Sequence, residues 1–205
     1  MARGDKGNKR RDSIVDEATR LFAERGYAGA SMADLAERVG LRKASLFHHF
    51  PSKELLYAAV LERPVNELGA VVSQAVAELG RSFEDRLDGL TTAVVEVMGS
   101  QPFAARLLVR EAMQWSRSST APLAAAIDGV LNAAVAFIKS GQDQGVVAPG
   151  DPRQIVISLM GMHVIAFALP GVVGRFTDSD PFSREALDAR RAAMTAHVRA
   201  MVLRR

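Results

Sequence analysis

The 205-residue chain has no cysteine. That excludes disulfides, thiolate metal ligands and a cysteine nucleophile, and it fits a reducing, cytoplasmic setting. The sequence also lacks a glycine-rich phosphate loop, a nucleophile elbow, a zinc signature and a convincing acid/base constellation, so an enzyme is not expected and no cofactor is implied. Alternating apolar and polar runs are absent, which argues against strands. The N-terminal stretch MARGDKGNKRRDS has no apolar core and does not read as a secretory signal. The most apolar window, Ile155 to Leu169, is shorter than the roughly 20 residues needed to cross a bilayer and contains His163, so a buried helix and no membrane partner are expected.

What is present is a chain 48% hydrophobic, enough to bury a real core, with a formal net charge of +3. The charge is uneven. Residues 1–57 hold 11 Lys/Arg against 8 Asp/Glu, whereas residues 58–205 hold 15 of each. The whole excess lies in the first quarter, where a polyanion would be attracted.

Apolar residues recur at helical spacing throughout, predicting an all-α chain. A first helix is expected from about Asp12 or Ser13, with Ile14, Ala18, Leu21, Phe22 and Arg25 along one side and Gly26 as its stop. A second begins at the N-cap Ser31, with Asp34 as an acidic partner three residues on. Its inner face is Met32, Leu35, Ala36 and Val39. After the turn Gly40-Leu41-Arg42, a third short helix runs to about Phe50, and Pro51-Ser52 open a fourth. Longer helical pieces follow over roughly 52–79, 82–99, 102–117, 122–144, 152–170 and 183–204, with breaks at 145–152 and 171–181.

Two short helices joined by a glycine-containing turn form a helix-turn-helix, whose second helix can enter a major groove. Rotated at 100° per residue, the third helix places Leu46 and Phe50 on one face. Ala44, Ser45, Phe47 and His48 fall on the other, with Arg42 and Lys43 at the N-terminal end. No acidic residue occurs from Gly40 through Lys53. Such a face suits nucleic acid, because phosphates accept from Arg, Lys, Ser and His, and Arg or Lys also read guanine edges. Lys53, in the first turn of a helix capped by Ser52, is unfavourable against the helix dipole alone but favourable beside a phosphate. The adjacent His48 and His49 point about 100° apart and are poorly placed to share a metal, so no metal site is expected. Arg3, Lys6, Lys9, Arg10 and Arg11 form either an arm for the minor groove or a solvated tail.

From Arg11 to Val60 the sequence resembles the TetR (tetracycline-repressor-like) family of bacterial transcription regulators. The matching landmarks are Ala-x-x-Leu-Phe-x-x-x-Gly-Tyr in helix one, the serine opening helix two, then Leu-Ala-x-x-Val-Gly-Leu, Leu-Phe-x-His-Phe and Ser-Lys-Glu-x-Leu. The resemblance implies an N-terminal three-helix DNA-binding domain, residues 1–51, and a larger helical effector-binding and dimerisation domain, residues 52–205. It implies that Lys43, Ala44 and Ser45 approach base edges or nearby phosphates, and that Ser31, Phe47, His48 and Lys53 contact the backbone. Phe47 departs from the usual tyrosine. Arg42 replaces the usual serine or threonine cap and is either a further DNA contact or solvated.

The rest of the chain carries no motif. Ile155–Leu169 is apolar nearly all round, and the last helix spaces Ala186, Ala189, Ala193, Ala196 and Ala200 by threes and fours, which suits a homodimer formed through the last two helices. Soft and aromatic residues on the middle helices are candidate pocket residues: Met98, Phe103, Met113 and Trp115, then Phe137, Met160, Met162, His163 and Phe167. Each is also an ordinary core residue. The expectation is a dimeric repressor, released from a palindromic, double-stranded operator by an unknown small, largely apolar effector. The alternative is a helical ligand-binding or interaction module without specific DNA binding.

Overall fold

The computed structural model describes residues 2–113 and 121–204, with side chains for 8–113 and 122–204. Among them are ten helices: α1 (Ala2–Gly29), α2 (Met32–Arg38), α3 (Lys43–His49), α4 (Lys53–Ala77), α5 (Phe83–Ser100), α6 (Ala104–Met113), α7 (Ala121–Asp143), α8 (Pro152–Ala168), α9 (Pro170–Thr177) and α10 (Arg184–Val202). The described residues contain no strand, only a single antiparallel bridge between Val147 and Leu203.

The N-terminal elements form as their local chemistry dictates. Gly26, at φ 73°, breaks the helical path near the end of α1. Ser31 caps α2 by accepting from the Asp34 N–H at 3.0 Å. The Asp34 carboxylate accepts from Arg25 at 2.9 Å, so Arg25 lies on the exposed side of α1 and not on the inner side its spacing suggests. Gly40, at φ 63°, makes the turn, a conformation that disfavours any residue with a Cβ. Ser52 caps α4 through the Leu55 N–H at 3.2 Å. Ile14, Ala18, Leu21, Phe22, Leu35 and Leu46 are buried together with Phe50 in one apolar core.

Two further differences from the sequence expectation have physical causes. α1 begins at Ala2, about ten residues before the expected start. Its third turn lies beside α2 and α3: Arg10 donates to the Val39 carbonyl at 2.8 Å, and the Arg11 guanidinium lies 4.5 Å from the Phe50 ring centroid. Both arginines thus contact later elements, Arg10 half-buried and Arg11 still exposed. The break expected at 171–181 holds α9, with Pro170 at its start, where the missing N–H costs nothing.

α4 runs through both halves of the molecule. Leu56, Val60, Leu61 and Val65 belong to the N-terminal core, while Ala75 belongs to a second core with Phe83, Phe137, Phe167 and Met194. Pro64 sits within the N-terminal set, just before Val65, where its lack of an N–H removes one bond from the helix ladder. α10 packs along α5 and is fastened there by Arg199, which donates to both carboxylate oxygens of Asp88 at 2.7 and 2.5 Å. α7 is long and apolar enough to cross a membrane, with a mean hydropathy of 1.5. In this fold it packs between α4 and α8 and carries Asp128, Lys139 and Asp143.

Candidate nucleic-acid interface and internal cavity

α3 presents a mixed polar and basic face. Arg42, Lys43, Ala44, Ser45 and His48 are exposed, whereas Leu46 and Phe50 on the other side are buried. Arg42 makes no side-chain cap; its carbonyl accepts from the Ser45 and Leu46 N–H groups, which leaves the guanidinium outside. Ser31 is exposed, and while its oxygen accepts from Asp34 its hydroxyl proton remains available to an outside acceptor. Phe47 is half-buried, packed in part against the N-terminal core. The Lys43 ammonium lies 5.9 Å from its ring centroid. His49 is half-buried and tilted 68° from His48. Among the described residues, no group of three or more His, Asp or Glu is placed to hold a metal ion.

Lys53 is half-buried at the start of α4, its ammonium 4.4 Å from the centroid of the Tyr27 ring. Tyr27 donates to Glu54 at 2.9 Å. Glu54's own N–H, the Ser52 hydroxyl and the Tyr27 phenol hold its carboxyl below the usual range. The acid nearest Lys53 is thus tied into the protein. Burial first, and Glu54 second, push the Tyr27 phenol up to about 12.

A second site lies in the other half. Residues of α4, α5, α7 and α8, with Val198 of α10, line a partly open cavity of about 140 Å³. Of the sequence candidates, Met98, Phe137, Met160 and His163 come together in its wall. Phe103 packs against the N-terminal core, Met113 is exposed, and Phe167 and Met162 belong to the second core without lining the cavity. Trp115 lies outside the described residues. Leu68 and Val72 of α4, and Leu87, Leu90 and Thr91 of α5, also line it. Sequence reasoning missed these because plain aliphatic residues at helical spacing look like any core.

His163 is buried, and burial is the main reason its ring is held below the usual histidine range, with the nearby Arg190 guanidinium acting the same way. Its Nδ1 lies 2.8 Å from the Leu159 carbonyl.

α6 packs against α8, α4 and the end of α1. Arg106 donates to the Ala23 carbonyl and Arg110 to the Phe22 carbonyl, the latter at 3.1 Å, so two cations satisfy carbonyls just before the Gly26 break. Tyr57 of α4 donates to Glu111 at 3.1 Å and meets the Phe22 ring edge-on at 4.9 Å.

This geometry has relatives among known proteins. Residues 14–60 match the family described as bacterial regulatory proteins, tetR family. The HTH-type transcriptional repressor AcnR of Corynebacterium glutamicum is 39% identical over 74 residues, 36% of this chain and 39% of that protein. The HTH-type transcriptional activator FasR of Mycolicibacterium smegmatis is 39% identical over 87 residues, 42% of this chain and 38% of that protein. The matches to these curated relatives thus span about two fifths of their length. Among solved structures, AibR in complex with isovaleryl coenzyme A and operator DNA has a similar fold: TM-score 0.72 and 20% identity, covering 92% of this chain and 97% of that one.

Proposed function

This chain belongs, through residues 14–60, to the tetR family of bacterial regulatory proteins, and from that premise we propose that it is a dimeric DNA-binding transcription regulator, a repressor released from its operator by a small, largely apolar effector. The observation that carries the reading is the face of α3: every side chain from Arg42 to Ser45, together with His48, is exposed, and no acid occurs from Gly40 through Lys53. Lys43, Ala44 and Ser45 sit where base edges are read, with Arg42 beside them. Ser31, His48 and Lys53 contact phosphates, and half-buried Phe47 shapes the surface beneath Lys43. The DNA-binding domain is residues 1–51, the effector and dimerisation domain residues 52–205, and the protein works in the cytoplasm.

Two copies are needed to place two recognition helices on a palindromic operator, roughly one helical turn apart. The exposed apolar face of α8 and the alanines of α10 supply the surface for the second copy. An effector in the cavity touches Leu68 and Val72 of α4, the helix whose first half packs the DNA-binding core. If the effector prefers one placement of α4, it shifts the population between operator-competent and released states. Arg106 and Arg110 carry the same displacement from α6 to the end of α1.

A gel-shift titration against the DNA upstream of the protein's own gene, at several salt concentrations, tests this. Sequence-selective binding that persists at physiological salt is expected. Purely non-specific binding there would sink the regulator reading and leave a helical ligand-binding module.

A further inference from the structure

Arg86, near the start of α5, is buried at 5% exposure, yet among the described residues it forms no ion pair. Its Nη1 donates to the Ala75 carbonyl in the last turn of α4 at 3.2 Å, and its Nε is buried without a partner. The guanidinium carbon lies 5.4 Å from the Phe137 ring centroid and 5.7 Å from that of Phe83. Nη2 makes no hydrogen bond within the described residues and, unlike Nε, is not sealed off by them. A guanidinium carries five N–H donors, and burying its charge without an anion is unfavourable.

Arg86 lines a small, partly open pocket between α4 and α5. The other polar groups of its wall are Gln74, Glu78 and Arg81. Glu78 accepts from Gln74 at 2.9 Å and from Arg81 Nη1 at 3.3 Å, which commits the one carboxylate of the pocket. Gln74 first, with Arg81 and Arg86 adding to it, holds that carboxyl below its usual range. Two guanidiniums against one carboxylate leave the wall with one positive charge in excess. Val71 and Leu90 supply apolar surface beside them, and Leu90 also belongs to the wall of the larger apolar cavity.

We propose that this pocket binds a small organic monoanion, a carboxylate on an apolar stem, whose oxygens accept from Arg86 Nη2 and from Arg81. One negative charge cancels the excess, and a carboxylate matches the planar N–H edge of a guanidinium. The stem meets Val71 and Leu90. A dianion such as phosphate would carry more charge than the wall can balance and would oppose Glu78. The site is distinct from the effector cavity and stands apart from the regulator reading.

Saturation-transfer NMR and thermal-shift titration of the full chain with butyrate, butyramide and inorganic phosphate test this without DNA. Butyrate is expected to bind at millimolar concentration, with butyramide, the same shape without the charge, at least about tenfold weaker. Arg86→Gln should abolish the preference for butyrate. Should that variant misfold, exposed Arg81→Gln decides instead and should weaken butyrate by about threefold. Glu78→Gln removes the competing carboxylate and should tighten butyrate by about threefold. An Arg86 that only fastens the end of α4 through Ala75 predicts no butyrate binding and no gain in Glu78→Gln. Either result overturns the proposal. So does equal affinity for butyrate and butyramide, tighter binding of phosphate, or butyrate binding that Arg81→Gln leaves unchanged.

Discussion

The Lys53 ammonium stands 4.4 Å from the centroid of the Tyr27 ring, so the first turn of α4 and the broken end of α1 position one cation between them. A cation held over an aromatic face loses less freedom when a phosphate arrives than one on a fully mobile stem. Lys53→Ala is therefore expected to weaken binding to all DNA sequences by about tenfold, roughly 1.4 kcal/mol, and to lower the salt slope by about one per subunit. Gel shifts over a salt series measure both. A changed sequence preference with an unchanged slope would show that Lys53 is not a phosphate clamp.

Tyr27 and Tyr57 are the only tyrosines in the chain, and both ionise late. Burial and Glu54 push Tyr27 up to about 12; burial and Glu111 push Tyr57 in the same direction. A phenol whose folded pKa lies above its unfolded value contributes stability that is complete below about pH 10 and is lost as the pH rises through the folded value. Ultraviolet titration of the native protein should therefore show less phenolate at pH 10 than the same chain in denaturant, which is about half ionised there. Equal curves would mean that the Tyr27–Glu54 and Tyr57–Glu111 pairs do not persist in solution.

Gly141 and Gly129 lie on the same helix and predict opposite outcomes. A Cβ on Gly141 would stand 2.6 Å from the Phe83 ring, which stacks on Phe137 with centroids 4.7 Å apart. Gly141→Ala is expected to destabilise the fold by about 1–3 kcal/mol through overpacking. Nothing lies within 4 Å of the Cβ position at Gly129, so Gly129→Ala should stabilise by about 0.5–1 kcal/mol through helix propensity. Urea unfolding curves compare the two, and a stabilising Gly141→Ala would contradict this packing of α5 on α7.

The proposed dimer has its own test in α8. Ile157 and Ile165 are 57% and 55% exposed on the face away from buried Val156 and Phe167, and Val172 and Phe176 of α9 are exposed too. A patch of this kind marks an interaction surface. The double substitution Ile157→Asp, Ile165→Asp is expected to convert a dimer to a monomer in analytical ultracentrifugation while the helical circular dichroism signal is kept. Persistence of the dimer would move the interface to another face, such as the small-residue side of α7.

The N-terminal quarter was legible because each of its signals acts locally. Ser31 and Ser52 are caps that work on N–H groups three residues away, and Gly26 and Gly40 are read from their own backbone angles. Leu46 and Phe50 fall on one side of a helix by spacing alone. Errors arose where a distant contact overrode a local signal. α1 extends back to Ala2 beside contacts from Arg10 and Arg11 to later elements, and Arg25 turns outward to Asp34. α9 was missed because Pro170 and the glycines after it read equally well as a loop or as a helix start.

By itself, then, the sequence determined an all-helical chain, a basic helix-turn-helix at its N-terminus and a set of soft residues with no assigned place. Tertiary structure alone decided which of those residues meet. Met98, Phe137, Met160 and His163 share a cavity, while Phe103 and Met113, alike in chemistry, fall in the other core and on the surface. It also decided that His163 Nε2 has no hydrogen-bond partner and that α4 touches both the cavity and the DNA-binding core. Periodicity fixes which side of a helix is apolar; only the packing of one helix on another fixes what that side faces.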